Sequence, residues 1–147
     1  MADLSKTKPF GVHLDATLKV IKQDLIRRFK AHDIDLTPEQ WTILSELSKD
    51  DEVYQADLAE HTFKDAPTVS RIVELLNKRG YVRRKPDEDD RRRFLITLTA
   101  DGRMVYNKSM PLVYEARKKG WEGLDEKDHE HLNRILSRIS SNILNGG

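Results

Sequence analysis

Three consecutive arginines, Arg91, Arg92 and Arg93, sit near the end of a stretch that reads RRKPDEDDRRRF over residues 83–94. Guanidinium groups suit phosphate, the paired acceptors of guanine and the narrow minor groove of A-tracts. Four carboxylates, Asp87, Glu88, Asp89 and Asp90, stand directly before them, where phosphate would repel them. Two readings compete. One is a solvated loop, which is what most charge runs are; the other is a nucleic-acid contact in which the acids have a separate task.

The remaining reactive side chains narrow the chemistry. The chain has no cysteine, which excludes disulfides, thiolate nucleophiles, thiol redox sensing and Cys-ligated zinc. His129 and His131 are two residues apart, so a helix turns them to different sides, and no His/Glu cluster has ligand spacing. No metal or cofactor is expected. There is no nucleophile elbow and no phosphate-cradling glycine loop, so no catalytic residue is assigned and the chain is not read as an enzyme.

Charge is distributed unevenly. The formal net charge is only +1, yet between Lys64 and Arg93 ten basic residues face six acidic ones, a local excess of +4. A basic middle in a mildly acidic body is an electrostatic footprint for a polyanion. The N-terminal MADLSKTKPFG has no apolar signal core and no apolar run reaches spanning length, so no membrane partner and a cytoplasmic location are expected. Charged residues make up 35% and hydrophobic ones 37%. That balance suits helices with long exposed faces, or a core completed by oligomerisation.

The elements that would position these charges follow from spacing and caps. After a loose arm of about ten residues, Leu14, Leu18, Ile21 and Leu25, widened by Ile26 and Phe29, predict a helix over about 11–31. Thr37, Pro38 and Gln40 form a capping box with proline in the first turn, opening a helix that carries Trp41, Leu44 and Leu47 and ends near Lys49–Asp51. A short helix follows over Gln55–His61, then a turn at Thr62–Lys64. Asp65-Ala66-Pro67 starts another helix, whose Val69, Ile72, Val73 and Leu76 fit one core face and which stops at Lys78-Arg79-Gly80. This is a helix-turn-helix.

Tyr81–Lys85 and Phe94–Leu98 read as two strands, which makes the charged stretch the loop of a β-hairpin. Thr99 caps a helix to about Lys119, with Pro111 inside it expected to kink or interrupt it. A last helix from Leu124-Asp125 places Leu132, Ile135, Leu136, Ile139 and Ile143 on one side. The fold class is therefore mainly α with a small β-hairpin wing, a winged helix-turn-helix of four helices, two strands and two helices. Residues 1–147 are read as one domain: about 37–100 form the winged region, and about 11–31 and 103–147 the dimerisation helices. The terminal helices cannot bury their stripes on so small a winged unit and are expected to pack on each other and on a second subunit.

The run from Ala56 to Gly102 resembles the MarR (multiple antibiotic resistance regulator) family of bacterial transcription regulators. It has the small helix, the recognition helix ending in Leu76-Asn77-Lys78-Arg79-Gly80, the wing Asp90-Arg91-Arg92, and the closing Leu98-Thr99-Ala100-Asp101-Gly102. The resemblance implies a homodimer on a pseudo-palindromic double-stranded DNA operator, most simply a repressor, with recognition helices in major grooves and wings in minor grooves. It also implies that Asp90 steadies Arg92 for minor-groove insertion, with Arg91 as the neighbouring alternative.

With the core face of the recognition helix committed, Thr68, Arg71, Leu75 and Lys78 lie opposite it, and Lys64, Pro67 and Ser70 lie near its start. Arg71 is the candidate for guanine, the alternative being a surface pair with Glu74 or Glu60; Thr68, Ser70 and Lys64 are candidates for phosphate. Arg83 and Arg84 are expected to hold flanking phosphates, while Asp87, Glu88 and Asp89 are expected to be solvated. The family's small aromatic or anionic effectors point to His13 and Trp41 as ligand candidates, against the alternatives of an exposed helix histidine and a core tryptophan. A helical adaptor module using the same fold remains the rival to DNA binding; a steep loss of affinity with salt separates them.

Overall fold

The computed structural model describes residues 3–6 and 8–146. The arm expected over the first ten or so residues includes positions 1, 2 and 7, which lie outside them; Leu4–Lys6 make one 3-10 turn. The elements are α1 (Phe10–Ala31), α2 (Pro38–Leu47), β1 (Val53–Tyr54), α3 (Gln55–Thr62), α4 (Ala66–Lys78), β2 (Val82–Pro86), β3 (Phe94–Leu98), α5 (Ala100–Gly120) and α6 (Glu126–Asn145). This is the mainly helical winged helix-turn-helix that the caps and periodicities predict.

Local chemistry starts and stops the helices. Gln40 donates its backbone N–H to Thr37 Oγ1 at 3.1 Å, and the Thr37 N–H donates to Gln40 Oε1 at 3.1 Å, so the capping box is complete. Asp65 accepts from the Thr68 N–H at 2.8 Å and Thr99 from the Gly102 N–H at 3.0 Å. Asp125 and Asp128 form a reciprocal box at the start of α6 that the sequence reading did not single out. Three helices end on a left-handed residue: Asp33 (φ 55°), Phe63 (φ 56°) and Gly80 (φ 79°). Each closes with the paired bonds of a Schellman motif. In α4, Tyr81 N–H donates to Leu76 O at 3.0 Å and Gly80 N–H to Asn77 O at 3.0 Å.

The core lies where α2, α3 and α4 meet the sheet. Ile43, Leu44, Leu47, Leu58, Val69, Val73, Leu76, Val82 and Ile96 are essentially inaccessible, and Phe29 of α1 reaches in from the side. All four residues of the α4 stripe are buried. The sheet has three strands, not two. β3 lies between β1 and β2, both antiparallel to it, with Val82 opposite Leu98, Pro86 opposite Phe94, and Tyr54 opposite Leu95. β1 was absent from the sequence reading because two residues show no alternation; they become a strand only by pairing with β3.

Pro111 does not end its helix: α5 continues through it, with Leu112 and Val113 buried immediately beyond. Burial of those two side chains against the core outweighs the hydrogen bond that proline cannot donate, a loss of about 3 kcal/mol in a helix interior. Gly102 explains the Leu-Thr-x-x-Gly closure. A Cβ there would collide with the Tyr81 carbonyl oxygen, to which the Thr99 N–H donates at 3.1 Å, while Thr99 Oγ1 donates to Gly80 O at 2.6 Å. The end of α4, the wing and the start of α5 are thus locked at one point.

The terminal helices behave differently from the core. In α1 only Leu25 and Phe29 are buried, leaving Leu14, Leu18, Ile21 and Ile26 exposed. In α6 no residue is buried, although Leu132, Ile135, Leu136, Ile139 and Ile143 form one side. Among the described residues, no helix is long and apolar enough to cross a membrane.

Candidate nucleic-acid interface

The start of α4 is an exposed edge with a fixed frame. Asp65 is held below the ordinary aspartate value by its hydrogen bonds from Thr68, so its charge stays at the cap. Pro67 is exposed in the first turn, and Lys64, Thr68 and Ser70 are half-buried around it. Arg71 is exposed and its Nη2 approaches Thr68 Oγ1 at 3.4 Å; among the described residues it pairs with neither Glu74 nor Glu60. The surface-pair alternative therefore does not occupy its guanidinium. Lys78 and Leu75 lie farther along the same exposed side.

The wing is folded by its own acids. Asp90 receives Arg92 in a forked arrangement, with Nε at 3.1 Å from Oδ1 and Nη2 at 3.4 Å from Oδ2, and it also accepts the Arg92 backbone N–H at 3.1 Å. These bonds hold the Asp90 carboxyl below its ordinary range. The Arg92 side chain is nonetheless 91% exposed, so a carboxylate grips one edge of a cation that points into solvent. The spacing in Asp90-Arg91-Arg92 matters because two residues on a tight turn let the side chain fold back; Arg91 is exposed beside it.

One expectation for the acids is overturned. Asp87 is not solvated: it is 8% exposed, accepts from the Tyr54 hydroxyl at 3.0 Å and from the Asp89 N–H at 3.3 Å, and its own N–H donates to Arg93 O at 2.8 Å. The Arg93 N–H in turn donates to Asp90 O at 2.9 Å. Asp87 acts as the turn-forming aspartate at the wing base. Glu88 and Asp89 are exposed, as expected.

Arg83 and Arg84 point from the first wing strand in different ways. Arg83 is exposed. Arg84 is half-buried, donates from Nε to Gln55 Oε1 at 3.0 Å, and lies 3.7 Å over the centre of the Phe94 ring. Tyr54, absent from the sequence reading, and Arg93, given no separate role there, complete this face. The Arg93 guanidinium lies 3.6 Å over the Tyr54 ring, and the bond to Asp87 raises the Tyr54 hydroxyl above the usual tyrosine range, keeping it a donor. The available signal was an aromatic residue directly before the short helix.

Away from this face, Trp41 is buried, stacks on Tyr106 with ring centroids 5.9 Å apart, and has Arg117 5.6 Å above it. Among the described residues, its buried indole Nε1 has no hydrogen-bond partner. His13 is exposed on the first turns of α1. No group of three or more metal-binding side chains occurs among the described residues.

Residues 34–93, which span α2 through the wing loop, match the model of the MarR family. A probable transcriptional regulator from Pseudomonas aeruginosa is 30% identical, with 89% of this chain and 99% of that chain covered at a TM-score of 0.68. The chain belongs to the MarR family of transcriptional regulators. A second relative of this MarR-type chain, the uncharacterised regulator YybA of Bacillus subtilis, is 27% identical over 124 residues, covering 82% of this chain and 80% of that one. The MarR fold also aligns with Bordetella bronchiseptica BpsR, whose DNA binding is regulated by 6-hydroxynicotinic acid, at a TM-score of 0.81, 23% identity and coverage of 95% and 98%.

Proposed function

We propose that this MarR-family, DNA-binding transcriptional regulator acts as a homodimeric repressor of a pseudo-palindromic operator, released by a small aromatic or anionic effector. The observation that carries the DNA reading is the Asp90–Arg92 fork, a pre-oriented guanidinium left exposed at the end of a wing. Holding Arg92 before contact reduces the side-chain freedom lost on binding. A narrow A-tract groove then favours its charge. Arg91 is the alternative cation for the same groove.

α4 enters the major groove by its start. Arg71, which pairs with no acid among the described residues, reads guanine through O6 and N7, a contact worth about 1–3 kcal/mol of discrimination. Lys64, Pro67, Thr68 and Ser70 set the helix on the backbone around it. Arg83 meets a flanking phosphate directly. Arg84 does so through its two terminal nitrogens, because Nε is engaged with Gln55.

The homodimer is supported by α6, an amphipathic helix that buries nothing within its own chain, together with the exposed Leu14, Leu18 and Ile21 of α1. An effector reading is supported by Trp41 Nε1, which has no hydrogen-bond partner among the described residues and lies beneath Arg117, a donor and a cation near one aromatic surface; His13 is the further candidate. Selection of bound DNA from a random pool tests the whole proposal. A two-fold-related motif is expected, with affinity falling steeply with salt. No enrichment above background, or binding indifferent to salt, defeats it.

A further inference from the structure

The wing carries several arginines whose charge is already engaged. Arg92 is paired with Asp90, and Arg84 is bonded to Gln55 and stacked on Phe94. Arg93 is held in another way. Its guanidinium lies 3.6 Å over the Tyr54 ring and, among the described residues, makes no ion pair or hydrogen bond. Stacking fixes a guanidinium plane but leaves the in-plane N–H donors free. Tyr54 is itself fixed twice: its backbone pairs with Leu95 in the sheet, and its hydroxyl donates to the buried Asp87. Asp87 closes the circuit by donating its N–H to Arg93 O.

Arg93 also borders a space. Tyr54, Gln55, Ala66, Arg93 and Phe94 line a cleft of about 200 Å3 between the wing base and the start of α4. On the proposed docking, a DNA strand passing from the major groove at α4 to the minor groove at Arg92 crosses this cleft. The geometry points to Arg93 as a phosphate anchor in that cleft, with Tyr54 and Asp87 as the residues that position it. The inference rests on the DNA reading above and assigns to Arg93 a role separate from the groove contacts. A held cation on the strand between the two grooves couples helix and wing without reading any base.

The test is the salt dependence of binding to one operator duplex, measured for wild type, Arg93→Gln, Tyr54→Phe, Tyr54→Leu and the double variant Arg93→Gln with Tyr54→Leu, with melting recorded for each. Each neutralised phosphate contributes about 0.9 to the slope of log K against log salt. Arg93→Gln should therefore lower the slope by about two in a dimer with two wings, weakening all sequences alike and leaving melting unchanged. Tyr54→Phe keeps the ring and should keep the slope. Tyr54→Leu removes the stacking platform and should move the slope toward that of Arg93→Gln, and the double variant should lose no more. An unchanged slope in Arg93→Gln removes the anchor. Additive losses in the double variant remove Tyr54 as its positioner, even if Tyr54→Leu also lowers melting. Absence of salt-dependent binding by the wild type is a different result, and it overturns the DNA reading itself.

Discussion

Phe63 offers a direct measure of backbone strain at the turn of the helix-turn-helix. It sits at φ 56°, a left-handed conformation, and is 98% exposed. A side chain with a Cβ loses roughly 1–2 kcal/mol in that region. Because almost none of the ring is buried, Phe63→Gly gives up no packing. Glycine's greater freedom in the unfolded chain returns about 0.4–1 kcal/mol of that gain. The balance is a stabilisation of about 0.5–1 kcal/mol, or roughly 2–4 °C per kcal/mol for a chain of this size.

Gly80 supplies the mirror experiment. It occupies φ 79° in the same motif at the end of α4, and an added Cβ would meet nothing within 4 Å. Gly80→Ala therefore isolates conformational strain and should cost about as much as Phe63→Gly gains, roughly 0.5–1 kcal/mol. Urea unfolding at one fixed protein concentration, with slopes compared, reads both variants. Opposite shifts of similar size are expected. A destabilised Phe63→Gly would refute the reasoning, for it would mean the ring makes a stabilising contact in the assembled protein.

Gly102→Ala tests crowding without strain: its Cβ meets the Tyr81 carbonyl, and overpacking of this kind costs about 1–3 kcal/mol, seen as earlier thermal unfolding. Arg92→Ala should weaken operator binding while leaving melting and dimerisation unchanged, and Asp90→Ala should weaken it too despite removing a negative charge near DNA; tighter binding by Asp90→Ala would replace orientation with simple electrostatics. On the proposed homodimer, Leu132→Lys combined with Ile135→Lys should give a monomer in sedimentation and abolish operator binding, whereas an unaltered dimer would place the interface elsewhere and a monomeric wild type would remove the homodimer. The lowered Asp65 value means its cap stabilises fully above the ordinary aspartate value of 3.8 and is lost as pH falls through the folded value. Asp65→Asn should therefore flatten the acid limb of helix unfolding monitored by circular dichroism.

What was legible in the sequence was local. The box at Thr37 and Gln40, the cap at Asp65, the α4 stripe and the glycine at 80 all act within a few residues, and each is in place. What was not legible depends on distant partners. Asp87 is buried by a tyrosine 33 residues earlier, and Arg84 is turned inward by a glutamine 29 residues earlier. β1 exists only because β3 pairs with it. Pro111 was read by its intrinsic cost in a helix, but Leu112 and Val113 at the core decide the outcome. The apolar side of α6 was readable as a pattern, and no residue of that helix is buried within its own chain.

Four acids in a loop proposed to face phosphate would be hard to justify if all four faced solvent. Two of them do not act as free charge. Asp90 is covered on one edge by Arg92, and Asp87 is buried under Tyr54 with Arg93 across the same ring. Each closes a turn by accepting a backbone N–H, at 3.1 Å from Arg92 and 3.3 Å from Asp89. Ordering a loop of this length from a flexible state would otherwise cost about 1–2 kcal/mol per residue at the moment of binding. The acids move that cost into folding, where the sheet and the Tyr54 bond share it. Their repulsion toward phosphate is then set against arginines held within hydrogen-bonding or stacking distance, which limits its reach in a screened solvent. Charge blocking in RRKPDEDDRRRF is thus a consequence of building a rigid cationic wing from a short hairpin: acids make the turn, and arginines carry the surface.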